Sequence, residues 1–63
     1  MELTDREKRI LELLSQGKSN FEVSLDLAIS KITFDKCLYG LKEKFKAKNT
    51  KNLIYEAAKL NII

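Results

Sequence analysis

The chain has 63 residues, 33% of them charged and 44% hydrophobic, with a formal net charge of +3. That length allows one domain with a thin core, which buries only about 60% of the surface exposed by the unfolded chain, and leaves little room for a deep pocket. The absence of His and the single Cys remove the usual acid–base group near neutral pH, the commonest metal ligand and any internal disulfide.

The first helix is predicted over residues 4–16, within LTDREKRILELLSQG. Thr4 and Glu7 have capping-box spacing, in which each side chain satisfies an amide left free at a helix start. Leu3 is placed for a hydrophobic staple. Ile10, Leu11 and Leu14 share one face, and Gly17 supplies the stop. The charged start, MELTDREKR, lacks the apolar segment of a signal peptide, and no apolar run approaches the ~20 residues that span a bilayer. A cytoplasmic location without membrane contact is expected.

The second helix is predicted over 19–27. Ser19 and Glu22 repeat the capping box. Val23 and Leu27 lie one turn apart with Phe21 and Leu25 nearby, so a mostly buried element is expected. Only AIS separates this helix from the next. So short a connection favours a steep crossing over an antiparallel pair, as in a helix-turn-helix.

The third helix is predicted over 30–46, with Ser30 as its cap. At 100° per residue, Phe34, Cys37, Leu38, Leu41 and Phe45 gather into one apolar arc. Ile32, Asp35, Lys36, Tyr39, Lys42, Glu43 and Lys46 face the other way. The polar AKNTKN follows. A last helix over 50–60, capped by Asn49 or Thr50 and closed by Asn61, carries Leu53, Ile54, Ala57, Ala58 and Leu60 around more than one face. Alternating strand patterns do not occur. The expected fold is all-α, a compact four-helix bundle containing a helix-turn-helix, with residues 1–63 as one domain.

From Lys36 to Lys51 there are six lysines against one acid, Glu43. A basic half of this kind marks either a solvated face or the footprint of a polyanion. Catalysis finds no support. The carboxylates of Asp5 and Glu7 are explained by capping, and there is no Ser–His, Cys–His or Gly-rich phosphate loop. Cys37 reads as a small buried hydrophobe. Neither an enzyme nor a cofactor, metal or small-molecule ligand is expected.

The order of these features resembles the LuxR-type helix-turn-helix, the GerE/NarL C-terminal domain. Its pattern runs Leu-Thr-x-Arg-Glu, an apolar pair, Gly-x-Ser-Asn-x-Glu-Ile-Ala, Leu-x-Ile-Ser and Thr-Val-Lys. Leu3, Thr4, Arg6, Glu7, Leu11, Leu14, Gly17, Ser19, Asn20, Glu22, Val23, Leu27, Ile29, Ser30 and Thr33 match it here. Leu41, Lys44 and Phe45 continue the match. Asp35 stands where the family often has Lys, Cys37 where it has His, Phe34 where it has Val, and Thr50 where it has Arg.

The resemblance implies a DNA-binding module of a bacterial transcription regulator that dimerises through its last helix. It places Asp35, Lys36 and Tyr39 at base-contacting positions, and Ser19, Asn20 and Thr33 near phosphates. The residue chemistry agrees. Ile32 can pack on a thymine methyl, Lys36 can donate to guanine, Tyr39 can stack or hydrogen-bond, and Asp35 can accept from a cytosine amino group. Asp35 has a plainer reading too, as a first-turn acid favoured by the helix dipole.

Phosphate contacts are expected from Lys18, Ser19, Asn20, Ser30, Lys31, Thr33, Lys42, Lys46, Lys48 and Lys51. The apolar Leu53, Tyr55, Ile62 and Ile63 are the expected dimer surface, and RNA polymerase is a further candidate partner. The same fold also suits a protein-interaction module or a domain like region 4 of a sigma factor. The start at Met1, just before the first helix, suits a free-standing small regulator or an excised output domain.

Overall fold

A computed structural model describes residues 2–63 as four helices: α1 (Asp5–Ser15), α2 (Asn20–Asp26), α3 (Lys31–Phe45) and α4 (Thr50–Lys59). No strand occurs among the described residues. All four starts are capped by a side chain. Thr4 accepts from the amide of Glu7 and Ser19 from that of Glu22, with both glutamates reaching back to the cap amide, so both capping boxes form. Ser30 caps α3, and Asn49 caps α4 by accepting from Asn52.

The four helices also end alike, which the sequence announced only at Gly17 and Asn61. Gly17, Ala28, Lys46 and Asn61 take left-handed backbone conformations, with φ of 89°, 54°, 54° and 60°. At each end, two amides turn back to the helix's final carbonyls. Ala28 donates to Leu25 at 3.0 Å and Ile29 to Ser24 at 3.1 Å, and Asn61 donates to Ala58 and Ile62 to Ala57, each at 3.0 Å. This is the Schellman pattern, which satisfies carbonyls that would otherwise be orphaned. Asn61 therefore follows the C-cap, which is Leu60 and not Asn61 as expected. Asn tolerates this backbone through its short polar side chain, whereas the Cβ of Ala28 meets the steric penalty in full.

The core consists of Ile10, Leu11, Leu13 and Leu14 from α1, Val23 from α2, Phe34, Leu38, Leu41 and Phe45 from α3, and Leu53 and Ala57 from α4. Helices α1 and α3 each touch all the others, whereas α2 and α4 do not meet. The expected apolar arc of α3 is the face that turns inward, with Cys37 half-buried at its edge. Helix α2 departs from expectation. Phe21 is 70% exposed and Leu25 62%, and only Val23 and Ser24 are buried. Seven residues can bury one stripe, and Phe21 and Leu25, one turn apart, lie on another.

One polar tie joins distant parts of the chain. The Lys44 ammonium reaches both carboxylate oxygens of Glu7, at 2.7 and 2.8 Å, and the carbonyl of Glu2 at 3.2 Å. Glu7 also accepts from the Thr4 amide at 2.9 Å, so one nearly buried carboxylate caps α1 and pins it to the end of α3. Burial pushes the Glu7 carboxyl up. The Lys44 ammonium and the Thr4 amide and hydroxyl more than offset this, holding it below its ordinary value of 4.5.

Two stability measurements follow from these contacts. Ala28→Gly should stabilise the fold by about 0.5–1 kcal/mol and raise Tm by a few degrees, because glycine adopts the left-handed backbone without a Cβ clash. An unchanged or lower Tm would contradict this strain. For Glu7, the folded-state pKa lies below the unfolded one, so the unfolded state binds the proton first as pH falls. The contribution is present above pH 4.5 and disappears as pH drops through the lowered folded value. Urea titrations from pH 6 to 3 should show a shallower acid loss for Glu7→Gln than for the parent, and parallel curves would refute the assignment.

Candidate nucleic-acid interface

The turn Leu27–Ser30 fixes how α3 leaves α2, and Ser30 completes that turn. Its hydroxyl oxygen accepts from the Thr33 amide at 3.1 Å and lies 3.0 Å from the Thr33 hydroxyl. With Phe34, Leu38, Leu41 and Phe45 anchored in the core, the opposite face of α3 has no packing role. Ile32 is 69% exposed and Tyr39 67%, and Asp35 and Lys36 are exposed beside them. The structure thus brings the four expected base-reading residues onto one outward surface.

Electrostatics separate these four. Among the described residues, no carboxylate lies within ion-pair distance of Lys36, so its charge is free. Asp35 meets Lys31 one turn back at 3.6 Å, in a pair whose side chains are 54% and 88% exposed. Exposed pairs of this kind contribute about 0–1 kcal/mol, and Lys before Asp is the less favourable order along a helix. Either partner is therefore easily released to another group. Asp35 lies in the second turn, with no acid in the first, so the helix dipole does not account for it. Glu43, one turn beyond Tyr39, acts as a hydrogen-bond acceptor and as a negative charge, and raises the phenol above its ordinary value of 10.0.

The expected phosphate contacts fall into three groups. Lys31, Asn20 and the caps Ser19 and Ser30 flank the starts of α2 and α3, with Thr33 half-buried behind them. Both cap hydroxyl oxygens accept a backbone amide, which fixes their position and occupies their acceptor side but not the O–H that a phosphate would take. Lys42, Lys46, Lys48 and Lys51 follow the end of α3 into α4. Lys18 is different, because its ammonium is 2.7 Å from Asp26 and is substantially neutralised.

The expected dimer surface also divides. Leu53 is fully buried in the core and cannot meet a second copy, which corrects its assignment. It faces α1 and α3 because an amphipathic helix on a small bundle needs one inward leucine. Tyr55 is 61% exposed, and Ile62 and Ile63 are half-buried against the core. Leu60, the C-cap residue, is 56% exposed and was not among the expected residues. Sequence reasoning also missed the exposure of Phe21 and Leu25. Their spacing relative to Val23 carried the signal, since residues two positions either side of a buried one point away from it on a helix.

Comparisons with known proteins agree with this geometry. The family described as bacterial regulatory proteins, luxR family (GerE), matches residues 1–57. The crystal structure of the response regulator ChrA of a heme-sensing two-component system is similar to this chain, with a TM-score of 0.94 and 32% identity. The match covers 100% of this chain and 31% of that one. No curated protein matches the chain. Among the described residues no helix is long and apolar enough to cross a membrane. With its helix-turn-helix and a match over most of its length, the chain belongs to the luxR family of bacterial regulatory proteins, and it is a DNA-binding unit, not an enzyme.

Proposed function

We propose that the chain reads a specific DNA sequence for a bacterial transcription regulator, with α3 lying in the major groove. The observation that carries this reading is the outward face of α3, where an unpaired Lys36 stands among exposed Ile32, Asp35 and Tyr39. A major groove admits one α-helix, and a few side chains near its start suffice to select bases. Lys36 donates to guanine O6 or N7, Ile32 packs on a thymine methyl and Tyr39 donates to a base or phosphate. Asp35, released from Lys31, accepts from a cytosine amino group. An acid at this position gives nothing to phosphates, so it narrows the sequence choice without adding affinity.

Phosphates are held by Lys31, Lys42, Lys46, Lys48 and Lys51, with Ser19, Asn20, Ser30 and Thr33 near the backbone and Lys18 available once Asp26 releases it. Two copies associate through the exposed Tyr55 of α4 together with the apolar chain end formed by Leu60, Ile62 and Ile63. A two-fold contact matches a palindromic site whose half-sites are separated by about one helical turn. RNA polymerase is the downstream partner in this reading.

Selection of duplexes from a random pool at about 50 mM salt tests the groove contacts. A two-fold site should be enriched, Lys36→Ala should lose about 1–3 kcal/mol and relax one base-pair position, and Asp35→Ala should relax a different one. No enriched sequence, together with indifference to both substitutions, would sink the reading. With about 4–6 phosphates neutralised, the slope of log K against log salt should be roughly −4 to −5. The dimer is tested by Tyr55→Glu, which should weaken binding to the palindrome more than tenfold while leaving a single half-site unaffected. Equal loss on both sites would contradict an α4 contact.

A further inference from the structure

Two large apolar side chains on α2, Phe21 and Leu25, are exposed without serving the core, and only Phe21 lines a cleft with residues of α3. Phe21 lines a cleft of about 170 Å³ together with Asn20, Ser24, Lys31, Phe34 and Asp35, whereas Leu25 takes no part in it. Lys31 and Asp35 are the first and fifth residues of α3, so the Phe21 ring stands beside the part of that helix that reaches deepest into a groove. On the α2 side of this edge, charge gives no hold on DNA. Helix α2, NFEVSLD, contains Glu22 and Asp26 and no cation, and the nearby Lys18 is paired with Asp26. What α2 offers here is apolar carbon.

We infer that Phe21 is a specificity-determining contact that packs on the 5-methyl group of a thymine at the edge of the major groove. This rests on the placement of α3 in the groove. The thymine methyl is the one apolar group that base pairs present there, and the helix preceding the reading helix crosses the backbone at that edge. Asp35 shares the cleft with Phe21 and accepts from a cytosine amino group, so the thymine neighbours the cytosine that Asp35 reads. Together they select two neighbouring base pairs, one C·G and one T·A. Leu25, one turn further along α2 and outside the cleft, lies beyond this contact.

The test uses the 63-residue chain and the duplex enriched by selection. Each thymine is replaced in turn by deoxyuridine, which removes the methyl group and nothing else. For the parent protein, two thymines in each half-site should each show a loss of about three- to fivefold, the size expected for one buried methyl, one read by Ile32 and the other by Phe21. Phe21→Ala should become indifferent to the methyl at one of these thymines and keep the preference at the other, with the salt slope unchanged; Ile32→Ala should do the reverse, and Leu25→Ala should behave as the parent. If Phe21→Ala keeps the parent's affinity or its preference at both thymines, the inference is overturned while a Lys36-dependent site still stands. Failure to enrich any duplex would overturn both.

Discussion

Burial of one arc of α3 organises this protein. Phe34, Leu38, Leu41 and Phe45 occupy the centre of a core to which every other helix contributes, and α3 touches all three. A chain this short has no second core to hold a misplaced helix, so the rotation of α3 about its own axis is set by these four side chains. Once that rotation is fixed, Ile32, Asp35, Lys36 and Tyr39 can point only outward. The Lys44–Glu7 tie acts at the far end of the same helix. It secures α3 to the start of α1 through a carboxylate that is also half of a capping box.

Much of this was legible because the signals are local. Capping boxes have fixed spacing, and the arc of α3 follows from helical periodicity, so both could be read without a structure. The resemblance to a known family was legible for a related reason, since it rests on a continuous run of motif residues from Leu3 to Thr33. What escaped was non-local or competitive. Glu7 and Lys44 are 37 positions apart, and nothing in spacing joins them. Phe21 and Leu25 looked like core because hydrophobicity alone does not say which stripe of a seven-residue helix wins the interior. Leu53 looked like surface because α4 is apolar on several sides, and only packing decides which of them the core accepts.

The lysines show how a charge count misleads until geometry is known. Six of them lie between Lys36 and Lys51, yet Lys44 is committed to Glu7, and Lys18 in the earlier half is held by Asp26. Lys36, by contrast, has no carboxylate within ion-pair distance among the described residues. The free positive charge is therefore smaller than composition suggests and more concentrated on α3 and its exit toward α4. Helix α2 contributes acids and exposed carbon, which sets it apart in character from the helix it positions. The two halves of the helix-turn-helix thus present different chemistry to whatever lies across them.

The left-handed residues that close all four helices have a consequence for how this domain can change over time. Each helix is stopped by its own backbone, through amides returned to its last carbonyls, and not by any side chain on the outer surface of α3. That surface is therefore mechanically idle. Its residues can be exchanged without disturbing a cap, a turn or the interior, so a lineage is free to revise what the helix recognises while the frame beneath it stays the same. Asp35 stands on that surface, and exchanging it would leave every cap and turn in place.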